Sequence, residues 1–268
     1  MRSHREAPSS SRLRLGCLKQ VCCELDCLRL LLSAGANPSA PDILGGCPLH
    51  YAAQLCGAPL AQGAVPGHAL RILKELLNAK GTSVHVVDHE GRSPLLWAAA
   101  AGSPEAVIAL IKAGAHVEAA DRDGLTALHC AASRGNTGCI ETLITLCGAA
   151  VDVIDCNGCT SLHYAATLGH ADATSLLLDL DAAPDRQDRK GRTPAHCACA
   201  KGQLETVKIL ANHKANLWIR NIKGDLPLHD AVASGRRELV LYLLQLKDGF
   251  INSSGHDGKT LLHIAASP

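Results

Sequence analysis

The chain has 268 residues, 47% of them hydrophobic, with 26 Lys and Arg against 25 Asp and Glu. That apolar content excludes a disordered chain, and a net charge of +1 leaves no global field to draw it to nucleic acid or a membrane surface. One Phe, two Trp and three Tyr exclude a core built on large aromatics. Leu, Ala, Val and Ile must do the packing, which suits slender helices in close contact.

Residues 1–12 are polar, carry Arg2, Arg5 and Arg12, and hold no apolar run, so they read as a disordered tail and not as a secretory leader. The thirteen cysteines are an odd number behind no leader, and read as reduced, mostly buried small hydrophobes of an intracellular, cytoplasmic or nuclear protein. No stretch approaches the roughly eighteen apolar residues of a membrane span, so no insertion is expected. Cys22, Cys23 and Cys27 lie on a helix face whose Leu30-Leu31-Leu32 runs to Gly35, a residue suited to a left-handed helix end.

From Cys47 onward one phrase recurs: Cys47-Pro48-Leu49-His50, Ser93-Pro94-Leu95-Leu96, Thr126-Ala127-Leu128-His129, Thr160-Ser161-Leu162-His163, Thr193-Pro194-Ala195-His196, Leu226-Pro227-Leu228-His229 and Thr260-Leu261-Leu262-His263. It restarts after 46, 33, 34, 33, 33 and 34 residues. Two residues before each phrase stands a Gly, from Gly45 to Gly258, and three residues before that stands Asp42, Asp88, Asp121, Asp155, Asp188 or Asn221; Gly255 breaks the rule. Asp-x-x-Gly is turn chemistry, because Gly accepts positive φ and Asp bonds its own backbone. The Thr or Ser that follows is a helix N-cap, and Pro beside it fits the first helical position. Each unit therefore predicts a turn, a short helix, a second turn and a second helix.

The long step of 46 residues marks an insertion around residues 56–67, where Gly and Pro forbid helix, before helix resumes near His68 and runs through Leu76-Leu77. It predicts a surface loop between the two helices of its unit. Later second helices end at Gly114 and Gly148, but Leu176-Leu177-Leu178 leads to Asp181 and Ile209-Leu210 to Lys214. Those two helices lack the easy cap and are expected to fray. Ala195 in place of the phrase Leu, and Leu226 in place of the Thr cap at about 1 kcal/mol, predict early hydrogen exchange over residues 190–230.

The 33-residue step, the Asp-x-x-Gly-x-Thr-Pro-Leu-His phrase and the Leu-Leu-x-x-Gly-Ala ending resemble the ankyrin-repeat family over residues 13–268. The resemblance implies an all-α solenoid of stacked helix-turn-helix units with β-hairpin finger loops. Such arrays bind other proteins through their fingers and inner helices. Eight units follow: a cap-like 13–41, then 42–87 with the insertion, 88–120, 121–154, 155–187, 188–220, 221–254 and a short 255–268 that stops inside its first helix. That ending reads as a fragment, with further repeats or a catalytic or effector domain beyond Pro268.

Six of the fourteen histidines occupy the fourth place of the phrase. Equivalent sites are about 10 Å apart, one helical layer, too far to share an ion. The resemblance implies that this His ties adjacent units through the backbone, and Leu96 shows that the role is dispensable. Cys156-Asn157-Gly158-Cys159 falls on a hairpin tip with no second pair in a neighbouring finger, and His196-Cys197-Ala198-Cys199 reads as core, since only His196 and Cys199 share a helix face. No phosphate loop, nucleophile elbow or carboxylate pair is present. No catalytic residue, cofactor or metal is therefore expected.

Charge is polarised along the chain. Residues 31–183 hold seven Lys or Arg against fourteen Asp or Glu, and residues 184–268 hold thirteen against eight. Two adjacent basic fingers carry Arg186, Arg189, Lys190 and Arg192, then Trp218, Arg220 and Lys223. Trp and Arg are frequent interface anchors. These seven residues are expected to bind an acidic or phosphorylated protein segment. The alternative is a solvated surface with local charge pairing and Trp218 lying on its neighbour. The basic stripe is too short and too diluted by acids for nucleic acid. A monomer is expected.

Overall fold

The computed structural model describes residues 25–57 and 67–266. The 1–12 tail, Cys22 and Cys23, most of the 56–67 insertion and the end at Pro268 lie outside the described residues. Helices alternate between two rows. The inner row is α2 (Pro48–Cys56), α4 (Pro94–Ala101), α6 (Ala127–Arg134), α8 (Ser161–Leu168), α10 (Pro194–Lys201), α12 (Pro227–Ala233) and α14 (Leu261–Ala265). The outer row is α1 (Leu25–Ser33), α3 (His68–Asn78), α5 (Pro104–Lys112), α7 (Thr137–Glu141), α9 (Ala171–Asp179), α11 (Leu204–Asn212) and α13 (Arg237–Leu246). Neighbouring inner helices pack on one another all along the stack, and each but α14 packs on its own outer helix.

The phrase residues start each inner helix as the spacing predicts. The cap residue is extended, and Pro48, Pro94, Pro194 and Pro227 stand at the first helical positions, where a missing N–H is harmless. Alanine pairs such as Ala52-Ala53, Ala98-Ala99, Ala131-Ala132 and Ala165-Ala166 are fully buried between layers. Small side chains let the inner helices approach closely, and so the core manages with few aromatics. Outer helices add the aliphatic layer: Leu73 and Leu76, Val107 and Leu110, Ile140 and Leu143, Val207 and Leu210.

The phrase histidines tie the units together. In each, Nδ1 accepts the backbone N–H of the cap residue, as from Thr160 to His163 at 3.1 Å. That leaves Nε2–H to donate to the finger of the next unit. His50 reaches the Arg92 carbonyl at 2.9 Å, His129 that of Cys159 at 3.1 Å, His163 that of Arg192 at 3.0 Å and His196 that of Asp225 at 3.1 Å. Both nitrogens are in use, so none of these rings is a metal ligand. Burial holds all four, and His229, below the ordinary histidine value. His229 departs from the pattern, since its Nε2 is buried without a well-formed hydrogen bond.

The expected β-hairpins are reduced to side-by-side turns. Only Ala120–Thr126 and Ser254–Thr260 pair as isolated antiparallel bridges, and no strand forms among the described residues. Each turn is instead closed on itself and hung on the one before it. The Arg122 N–H donates to the Glu90 carbonyl at 3.1 Å, Arg189 to Asn157 at 2.9 Å, and Ile222 to Lys190 at 3.1 Å. Six such bonds, from His89 on Leu44 to His256 on Lys223, make a ladder of fingers. Gly is required at the crossing. Gly91 has φ +80°, and a Cβ there would come within 3.0 Å of the Arg122 nitrogen.

Two length irregularities are absorbed locally. In the 121–154 unit the extra residue becomes a π turn over Thr142–Leu146 that continues α7, with the Cys147 N–H on the Thr142 carbonyl at 3.1 Å. In the 221–254 unit a 3-10 turn, Asp248–Phe250, follows α13. The two outer helices expected to fray are capped after all. Asp181 and Lys214 take φ of 65° and 62°, and both ends close by the same two bonds as at Gly114. Leu226, read as a lost cap, is fully buried, so its side chain joins the core in exchange for the hydroxyl.

Candidate functional site

Fingers and inner helices together face one side of the stack. An Asp organises five steps of that face and an Asn a sixth. Oδ1 of the finger Asp accepts two backbone N–H groups of its own turn, as Asp88 does from Glu90 at 3.0 Å and Arg92 at 2.9 Å. Asn221 does the same from Lys223 and Asp225, which shows that a carbonyl oxygen suffices for the turn. Oδ2 remains, and in Asp42, Asp88 and Asp155 it receives the residue nine positions later on the inner helix. Tyr51 donates to Asp42. Trp97 Nε1 donates to Asp88 at 3.1 Å, and Tyr164 donates to Asp155 at 2.7 Å. Three of the six aromatics thus share one structural position.

Electrostatics follow from this wiring. Burial pushes the Asp88 and Asp155 carboxyls up, but the hydrogen bonds that each accepts hold both below the ordinary value. Asp121 faces Cys130 where its neighbours face Tyr or Trp, and burial leaves its carboxyl raised. The thiols of Cys130 and Cys159 are pushed up to about 12, mainly by burial, so they are inert at neutral pH. Cys156 is exposed at a fingertip, and Cys159 points toward Asp188. No group of side chains suited to hold a metal is found among the described residues.

The seven residues singled out in the sequence divide into two sets. Arg186, Arg189, Lys190 and Lys223 are exposed. The other three are engaged. Arg192 is held by Asp188, with Nε and Nη2 at 2.9 and 2.7 Å from Oδ2. Arg220 donates to the Gly224 carbonyl and to that of Ser254 at 2.8 Å. Trp218 is stacked on Phe250 with ring centroids 4.7 Å apart, and Lys247 sits over the pair. The indole is therefore covered by the next unit.

Sequence reasoning passed over the opposite end. Tyr51 and Trp97 meet edge to face at 5.6 Å, His50 meets Trp97 at 5.3 Å, and the Arg92 guanidinium lies 5.6 Å from the indole centroid. The adjoining fingertip carries Ile43, 92% exposed, and Leu44, 44% exposed. A signal for these residues existed. Each aromatic nine residues after a finger Asp donates to that Asp.

Known proteins are similar to this chain over its repeats. The family model described as ankyrin repeats (3 copies) matches over residues 60–153, 117–188, 134–221 and 162–254. Ankyrin repeat domain-containing protein 37 of Xenopus tropicalis is 34% identical over 129 residues, 47% of this chain and 71% of that protein. Human neurogenic locus notch homolog protein 2 is 35% identical over 111 residues, 41% of this chain but 4% of its own length. The mouse B-cell lymphoma 3 protein homolog is 32% identical over 144 residues, 44% of this chain and 32% of its own length. The match thus spans only a small part of the human and mouse relatives.

Proposed function

The chain belongs to the ankyrin-repeat family, and on that premise we propose that it is a non-enzymatic, monomeric scaffold that captures an acidic or phosphorylated protein segment. Ankyrin arrays bind proteins, and no helix among the described residues is long and apolar enough to cross a membrane. One observation carries the finer reading: Arg189 and Lys190 on one fingertip and Lys223 on the next stand exposed, on turns bonded directly to each other. Arg186 extends the strip, and Arg192, Trp218 and Arg220 complete the seven residues of the proposed surface. Among the described residues the free thiols of Cys47, Cys130, Cys139, Cys197 and Cys199 fit a reducing compartment, the cytoplasm or nucleus.

The test is a fluorescent acidic peptide with one phosphoserine, beside its unmodified twin, titrated onto the protein. The phosphorylated form is expected to bind tighter and to weaken with salt. Arg189→Glu with Lys190→Glu should abolish the difference. Equal binding of both peptides to both proteins would sink the reading. The small shares of the human and mouse relatives favour a second reading, in which the array is the targeting module of a longer protein whose effector part lies elsewhere.

A further inference from the structure

We propose a second docking surface at the other end of the ladder, built from the fingers at 42–46 and 88–92 and the α2 and α4 residues between them. Its occupant is an extended protein segment with an aliphatic or aromatic side chain flanked by Lys or Arg. This goes beyond the basic-finger reading and does not depend on it.

The first support is composition at the tips. The two residues between the finger Asp and its Gly are His89-Glu90, Arg122-Asp123, Cys156-Asn157, Arg189-Lys190 and Ile222-Lys223 in later fingers. Only the first finger carries two aliphatics there, Ile43 and Leu44, at 92% and 44% exposure. Single exposed apolar residues need no explanation. This pair does, because it continues into an aromatic surface. Tyr51 lies against the stem of the same turn, bonded to Asp42. Trp97 packs on Tyr51 and is bonded to Asp88, and Arg92 completes the row over the indole.

The second support is rigidity. The indole N–H and the phenol O–H are already satisfied, so both rings are fixed in orientation, and both side chains are half-buried. The Arg92 guanidinium is likewise held by Asp88 at 2.8 Å. Tyr, Trp and Arg held in place before binding lose little side-chain freedom on contact, which is the composition and the preorganisation of an interface hot spot.

Charge selects the partner. Asp88 and Arg92 cancel one another, which leaves Glu90 exposed at this surface and Asp121 and Asp123 against Arg122 on the next finger. A segment bearing Lys or Arg beside its apolar anchor would meet complementary charge, and an acidic one would be repelled.

The experiment is selection of a random peptide library, displayed on phage, against the whole chain. Sequences with Lys or Arg next to Leu, Ile, Phe or Trp should be enriched. A labelled consensus peptide should bind Ile43→Asp with Leu44→Asp about tenfold or more weakly than wild type. Ile43→Ser with Leu44→Ser, which adds no charge, should weaken it in the same sense. Arg189→Glu with Lys190→Glu should leave it unchanged. A matching thermal midpoint checks that each variant is folded. The proposal is overturned if no such consensus emerges, if the tip variants bind like wild type, or if only acidic peptides are selected and the Arg189 variant loses them. That last outcome would leave the basic-finger reading standing.

Discussion

The fingers at 42–46 and 88–92 share their backbone with those at 188–192 and 221–225, yet the two pairs present opposite surfaces. In both regions the side-chain Oδ1 of Asp or Asn closes the turn and Gly crosses to the next finger. At the first pair Oδ2 fixes a Tyr and a Trp beside an aliphatic tip. Asp188 holds Arg192 as Asp88 holds Arg92, but it holds no ring nine residues on, and Asn221 has no second carboxylate oxygen. The lesson concerns which positions are free. Turn geometry uses one oxygen and one glycine, so the second oxygen, the tip pair and the ninth residue are left to set the chemistry of the face.

Acid is expected to have the largest effect on the whole stack. Five buried histidines have values lowered by burial. Their contribution is complete above the ordinary value of about 6.5 and is lost as pH falls toward the lowered values, because the unfolded chain then binds more protons. Thermal midpoints should drop steadily from pH 7 to pH 5. The 88–120 unit, with Leu96 in this place, shows the device to be optional, so His163→Leu should flatten that drop. An unchanged slope would place the acid sensitivity elsewhere.

Next comes the contrast between the two tryptophans. Trp97→Ala removes a ring packed on two others and one of the donors to the second oxygen of Asp88, which keeps Arg92, at about 3 kcal/mol. Trp218→Ala loses a stack at the edge of the array, at about 1.5 kcal/mol. Urea unfolding of both variants compares them. Equal losses would mean that the two regions are not built differently.

Much of this was legible in the residues, and the limits have physical causes. The phrase places every inner helix because cap, Pro and Leu are all local signals. The expectation of an interface at Arg192, Trp218 and Arg220 does not include the contacts that engage these three side chains within the chain, for two reasons. Arg192 repeats the spacing of Arg92 to its Asp, so that ion pair could have been read from the sequence. The cover over Trp218 could not, because it depends on how the Asp248–Phe250 turn folds back after a helix of irregular length. Side-chain preference alone predicts fraying at Asp181 and Lys214, but both residues take positive φ and close their helix ends with the same local backbone bonds as Gly114.

Asp230 sharpens the comparison from the C-terminal side. It stands where Tyr51, Trp97 and Tyr164 stand in their units, but it is an acceptor in a donor's place. Its Oδ2 is buried without a partner, and burial together with Asp225 pushes its carboxyl up to about 7. The folded value lies above the unfolded one, so the site costs stability that grows as pH rises toward 7. Asp230→Asn should gain about 2 kcal/mol at pH 8 and progressively less toward pH 4. The amides of α12 should also exchange before those of α6 and α8 in the parent. A gain independent of pH would mean that the carboxyl is not ionising where it sits.

The smallest expected effect tests the caps. At Gly114 the left-handed residue is free of strain, and the Gly114 and Ala115 N–H groups close on Ile111 and Leu110 at 2.9 and 3.0 Å. Asp181 and Ala182 close on Leu178 and Leu177 at 3.1 and 2.9 Å, and Lys214 and Ala215 on Ala211 and Leu210 at 3.0 and 2.9 Å. The bonds are the same, but a Cβ at positive φ costs about 1 kcal/mol. Asp181→Gly and Lys214→Gly should each recover somewhat less than that, since glycine also gains freedom in the unfolded chain. Gly114→Ala should lose a similar amount. If the two glycine variants were destabilising, the Asp181 and Lys214 side chains would have to contribute contacts that outweigh their strain, and the C-terminal half would be as well fitted as the N-terminal one.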